Sequence, residues 1–562
     1  MVIGLSSFTH VRVDVPRGED NGNNKRNHFM RNNVTRPAGL VLTFAASAVA
    51  FSISTAKADP AIYQLDGDIS EGIDLTAMSG YYADRMEGPS SANMTFAGPI
   101  SVDSSVSASN PFQLMGRGYK ITVSAAGSGF HTLPLRFQNA DGVTKTSELA
   151  FDAGNEYGAA TVDVGRGGKI SFGYMNNGNV TLSGEEFAFH DGGKMAGYNL
   201  YFGKDNSPFL SVVDGAEIAA NYTMRLGNQT KSIPSGVSGF LGMTNATVST
   251  GATENRKLQL LFGVPKSQSG GCDVVLGEGA VLSSGAIELN GGGIANIVFD
   301  GGAFKSTSDA DLSSVALFQA YGNSFGNAKQ DATIVVQAAN GNPIDVEIKQ
   351  DRRLASVRAN STKSLAVNLT GDGGFTKRGS GVLAFVCPKE SSTQTPTCDY
   401  TGPTTVLAGG IVISDETYKV GRGALAVSEN AFLDLNGFDV EFSGATGDGI
   451  VTNGAAATST LTLGYGGADG AFSVAVGERI HVVKTGAGTL TISGAALANA
   501  CDLTVSAGTV AFAGDSTTFG TVTVASGATL DAGAVEFSCS NLVKQPGSAV
   551  LLKPKATTLI LR

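Results

Sequence analysis

The chain has 562 residues, of which 75 are glycine, about 13%, roughly twice the usual share, while charged residues make up 16% against a typical ~25%. Hydrophobic residues still reach 42%, enough to build a core, and the absence of tryptophan and the abundance of Gly, Thr, Ser, Val and Ala favour short strands and tight turns over helices. Coiled coil, helical bundle and collagen are excluded, the last because no strict Gly-X-Y period runs through the sequence.

The segment 1–58 reads as a targeting sequence. Lys25, Arg26, Arg31 and Arg36 precede an apolar run over 38–54, and Ala56-Lys57-Ala58 supplies small residues at the last and third-last positions before Asp59. A signal peptide over 1–58, cleaved after Ala58, is expected; a membrane anchor is the alternative, but the apolar run is short for a span that needs about 20 residues. Met30 offers a second translation start. Cleavage removes seven of the 39 basic and three of the 49 acidic residues, so 32 face 46 and the net charge is −14. Such a surface disfavours nucleic acid, which is bound by clustered Lys and Arg.

From residue 59 to 200 corner motifs are sparse and Met, Tyr and Phe more frequent, which reads as an N-terminal cap followed by irregular first β coils. One pattern then dominates: an apolar residue, a tight turn usually holding glycine, and an apolar residue opening a new strand. It recurs at 164–170, 213–218, 276–282, 406–412, 427–433, 505–510 and 524–530. A strand-turn-strand unit cannot bury its apolar face alone and must stack on the next copy, which gives a solenoid. Alternation in Thr489-Leu490-Thr491-Ile492 and Thr521-Val522-Thr523-Val524 puts threonine outside and aliphatic residues in the bore. At roughly 20–25 residues per coil and about 4.8 Å per coil, a rod of about 100 Å is expected. At its end, Lys553-Pro554-Lys555 interrupts an apolar strand in the way protected sheet edges are built.

Residues 201–370 read as a divergent solenoid. From 371 the motifs sharpen. One copy runs Gly371-Asp372-Gly373-Gly374-Phe375-Thr376-Lys377-Arg378-Gly379-Ser380-Gly381-Val382-Leu383 and resumes at Tyr400-Thr401-Gly402-Pro403-Thr404 through Gly409. A second runs Val482-Val483-Lys484-Thr485-Gly486-Ala487-Gly488-Thr489-Leu490 and closes with Leu503-Thr504-Val505 through Gly508. Over 371–562 the sequence resembles the autotransporter-associated β-strand repeat, the passenger-associated repeat of bacterial surface proteins. The resemblance implies an all-β, right-handed parallel β-helix (β-solenoid) rod with an irregular N-terminal cap, displayed on cells with an outer membrane in a structural or adhesive role. It implies a cell-surface or glycan ligand; neither that ligand's identity nor the oligomeric state is legible. The family's passengers precede a membrane β-barrel of alternating ~10-residue strands; none is present up to Arg562, so a separate outer-membrane translocator is expected. A periplasmic scaffold is a second alternative to display.

The glycines expected to set corners are Gly379, Gly381, Gly402, Gly409, Gly486, Gly488, Gly508 and Gly527. Cys387 and Cys398 lie in an insertion over 386–399; ten intervening residues with Pro388 and Pro396 make a disulfide plausible, two free thiols being the alternative. Cys501 with Cys539 is a weaker pairing. No catalytic residue, cofactor or metal is expected. A polysaccharide-degrading β-helix is the enzymatic rival, and its acids would come from Asp163, Asp214, Glu217, Asp273, Glu278 and Glu288, but most of these fall in or beside corners, where aspartate favours turns. His131, His190 and His481 read as solvated or packed rings. Asp372 and Asp448, in glycine-rich turns, read as structural rather than calcium ligands. Tyr81, Tyr82 and Phe96, and then Tyr198, Tyr201 and Phe202, are the densest aromatic groups, for which packing is favoured over sugar binding.

Overall fold

The computed structural model describes residues 41–43 and, with gaps, 62–553. The chain is nearly all β, with a 3-10 turn at Tyr465–Gly467, and its strand pairs are parallel. It is a parallel β-solenoid, as the corner motifs predict.

One ladder links nineteen successive strands from Met94–Phe96 to Ala549–Leu552 and so runs through residues 200 and 370 without a break. Eighteen steps of about 4.8 Å give a rod of roughly 85 Å. A second ladder extends from Glu156–Tyr157 to Ala475–Val476. The third side is a thirteen-strand sheet ending at Leu365–Gly371, succeeded further along by a six-strand sheet from Val440–Phe442 to Phe537–Lys544. The coil is therefore three-sided.

All seven corner motifs join two strands, and each carries one residue with positive φ: Gly167, Gly215, Gly279, Gly409, Asn430, Gly508 and Gly527. That backbone conformation costs a residue with a Cβ about 1–2 kcal/mol, which glycine avoids and asparagine tolerates. This is why the motif holds glycine in six copies and asparagine in the seventh.

Period-2 alternation fills the bore. Leu461, Val482, Leu503 and Val522 stack in register and are fully buried, whereas their neighbours Thr462, Val483, Thr504 and Thr523 face outward. Fully burying one such aliphatic side chain stabilises by about 1.5–3 kcal/mol. The column ends at Leu542, 38% exposed, where the last strands leave Leu542, Val543, Leu551 and Leu552 at the surface. Of the expected protective segment, Lys553 is described, and Pro554 and Lys555 lie outside the described residues.

Coil length is not the uniform value expected. In the tight part Val440 pairs with Leu461 and Leu503 with Val522, whereas earlier Ala295 pairs with Ile334, a loop of chain almost twice as long. The extra residues lie between rungs, chiefly where the second ladder hands over to the thirteen-strand sheet: after Phe202, Leu226, Phe262, Tyr321 and Arg358, with the short Gly291–Ile294 step as the exception.

The expected signal peptide falls outside the described residues except for Val41–Thr43, a short strand that pairs with Ile62–Gln64 at the N-terminal edge. His131, Tyr81 and Tyr82 also lie outside them.

Candidate functional site

The six candidate acids do not gather. Asp163, Asp214 and Asp273 lie on the thirteen-strand sheet on every second rung, about 10 Å apart along the axis, and in different columns of the register. Acid pairs that cleave glycosidic bonds are ~5–9.5 Å apart. Glu217 is paired with Lys194 at 2.8 Å, Glu278 is exposed in its corner, and Glu288 is buried on Ile287–Gly291.

Asp163 has a structural partner set. Arg136 Nε donates to Asp163 Oδ2 at 2.7 Å from the rung below, and His190 Nε2 lies 2.7 Å from Asp163 Oδ1 from the rung above. The other ring nitrogen of His190 faces Asp191 at 3.1 Å. The hydrogen bond to Asp163 raises His190 to about 8 against the effect of burial, with Asp191 adding to the rise. Burial pushes the Asp163 carboxyl up, but His190 and Arg136 outweigh it and hold the group below its ordinary range. His190 is an electrostatic bridge between coils, a role its isolated position in sequence did not reveal. His481 bonds Thr504 Oγ1 at 2.9 Å on the next rung.

Other turn acids do comparable work on the backbone. A side-chain oxygen on one coil accepts from an N–H one coil on: Asp351 to Val382 at 2.9 Å, Asp439 to Thr460 at 2.6 Å, Asp469 to Thr489 at 2.7 Å and Asp502 to Thr521 at 2.6 Å. Asp372 accepts from Gly341 N at 3.3 Å. These carboxylates satisfy backbone donors on the neighbouring coil, three of them at or one residue into a strand start, the reason an acidic residue recurs there.

The lysine of each of the two Lys-x-Gly-x-Gly copies is buried, which sequence reading missed. Lys377 is fully buried and its Nζ donates to the carbonyls of Gly379 at 2.7 Å, Ala408 at 2.8 Å and Gly381. Lys484, 1% exposed, donates to Thr485 O at 2.6 Å, Gly486 O at 2.8 Å and Ala507 O at 3.3 Å. Each ammonium thus ties its own Gly-x-Gly turn to the next coil's corner, beside Gly409 or Gly508. Burial pushes Lys377 down to about 8 and Lys484 down as well, opposed by Asp351 and Asp469 respectively. The signal was present as the shared Lys-x-Gly-x-Gly spacing.

The corner glycines divide into two kinds. Gly379, Gly409, Gly486, Gly508 and Gly527 have positive φ. Gly381, Gly402 and Gly488 do not; a Cβ there would lie 2.6 Å from Gln350 C, 2.5 Å from Gly374 N and 2.5 Å from Ala468 C, so close approach of the neighbouring coil requires them. Cys387 and Cys398 both stand as thiols. Cys501 and Cys539 are separated by an intervening rung, since Gly520 N bonds Cys501 O while Phe519 pairs with Cys539.

Among the aromatic groups, Phe96 and Phe202 are core residues. Tyr198 and Tyr201 face outward: Tyr198 stacks on Tyr222 of the next rung at 5.4 Å and 13°, and Arg225 lies 4.3 Å over the Tyr201 ring. This half-buried patch adjoins the long connections after Phe202 and Leu226, the kind of position where solenoids vary their binding surfaces. The stretch 165–169 is a corner, with Arg166 paired to Asp141 and Lys169 to Glu148. No family model, curated protein or solved structure matches this chain.

Proposed function

We propose that this is an exported β-solenoid of the autotransporter-passenger kind, displayed at the cell surface with a structural or adhesive role. The observation that carries the reading is the pair of buried lysines: the two Lys-x-Gly-x-Gly copies are held by the same inter-coil bonding, which supports a common repeat. The bonding of turn acids to backbone supports a scaffold, and the tyrosine patch beside the long connections is the surface assigned to a ligand. Intact cells treated with an impermeant protease test the reading. Cleavage of the chain while a periplasmic marker survives is expected; full protection would replace display with the periplasmic scaffold.

A further inference from the structure

Cys387 follows the strand Val382–Phe385 and is 1% exposed, and Cys398 opens the next coil, bridged in parallel register to the fully buried Leu369. In such a ladder a residue shares the facing of its register partner, so Cys398, like Leu369, turns toward the bore. Cys387 belongs to the hydrophobic core, and Cys398 packs against that core. The carbonyls of Val386 and Pro388 accept from Ala355 N and Val357 N on Arg352–Arg358, while Cys398 bridges Leu369 on the following strand, so the two cysteines stand on adjacent sides of one coil with ten residues between them. Tyr418, fully buried, completes the group; its hydroxyl has no hydrogen-bond partner. A negative charge on either sulfur would raise the Tyr418 phenol, and one on Cys387 would raise Cys398, as expected for groups sharing one pocket.

We propose that Cys387 and Cys398 form an intrachain disulfide that ties the two ends of the 386–399 insertion to the bore where the long coils give way to the tight repeat. The alternative pair does not qualify, because Cys501 and Cys539 are two rungs apart, about 10 Å, and Cα atoms more than ~7 Å apart are not bridged without backbone movement. The oxidant class is a small-molecule disulfide such as oxidised glutathione. The thiolate of one cysteine attacks it and releases one small thiol; the second cysteine attacks the mixed disulfide and releases the other. Two protons and two electrons leave the protein, one S–S bond forms and the oxidant's S–S bond breaks. Burial raises the Cys398 thiol and so lowers its thiolate share in the folded rod. This inference stands on the two sulfurs and not on surface display.

The full-length chain is refolded with a reduced and oxidised glutathione mixture, or with reductant alone, then denatured and alkylated. The oxidised product should expose three of the five cysteines to alkylation, yield a non-reduced peptide joining Cys387 to Cys398, and melt several degrees above the reduced rod. With no tryptophan in the chain, near-ultraviolet dichroism of the tyrosines should also differ between the two forms. Cys501→Ser with Cys539→Ser should leave these results unchanged, and Cys387→Ser with Cys398→Ser should abolish the linked peptide while refolding normally in reductant. Five alkylated cysteines after oxidative refolding, a link between other cysteines, or a rod that forms only in reductant would overturn the proposal.

Discussion

Two kinds of corner glycine make a sharp quantitative contrast. In Gly488→Ala the new Cβ would sit 2.5 Å from both Ala468 C and O and 2.8 Å from Asp469 N, where ordinary contact begins at 3.4 Å. The two coils must separate there by about 0.9 Å, and a hydrogen bond of ~2.9 Å stretched that far passes beyond useful length. The bonds at stake are the ladder between Gly470–Phe472 and Thr489–Ile492 and the Asp469 cap on Thr489 N. Three such bonds at about 1 kcal/mol each put the cost near 3 kcal/mol. Gly527→Ala meets open space and is charged only the positive φ of 79°, about 1–2 kcal/mol. Gly527→Asn should be nearly neutral, because Asn430 holds φ 63° at the same place in its own corner. A solenoid does not unfold strictly as one unit, so urea melts should be paired with hydrogen exchange resolved by segment, and Gly488→Ala should lose protection over 470–492 first. Equal costs for Gly488→Ala and Gly527→Ala, or a Gly527→Asn chain as unstable as Gly527→Ala, would refute the division.

Lys377→Met leaves three carbonyls without their ammonium and should cost about 2–4 kcal/mol, read as a lower urea midpoint; a neutral result would remove the inter-coil tie. Because the folded-state value of Lys377 is lowered to about 8, the unfolded chain binds more protons between there and about 10.5, and this lysine's contribution to stability rises with pH over that window; Lys377→Met should lack the slope. His190 acts in the opposite sense. Raised to about 8, it stabilises fully below its unfolded value near 6.5 and the contribution is lost as pH climbs through 8; discounted for a ring 37% exposed it amounts to about 1 kcal/mol, and a His190→Gln melt should be flat across that range. Asp502→Ala should cost about 1 kcal/mol by leaving Thr521 N without its acceptor, and Asp502→Asn should recover most of it.

The repeat was legible in the chain alone. Strand composition, period-2 alternation and seven corner motifs specify a stack of β coils, because each motif encodes a local demand: an apolar residue on each side of a positive-φ turn. All seven corners stand where the motifs place them. Register was not legible, since the same motifs serve coils as short as the step from Leu503 to Val522 and as long as that from Ala295 to Ile334, and only stacking decides which residue meets which. Hence the distribution of the acids, the pairing of His190 with Asp163 and the separation of Cys501 from Cys539 were decided by tertiary structure. So were the reasons for Gly381, Gly402 and Gly488. Their backbone is unexceptional, and what excludes a side chain is the neighbouring coil, a full turn of the solenoid away in sequence and in van der Waals contact in space.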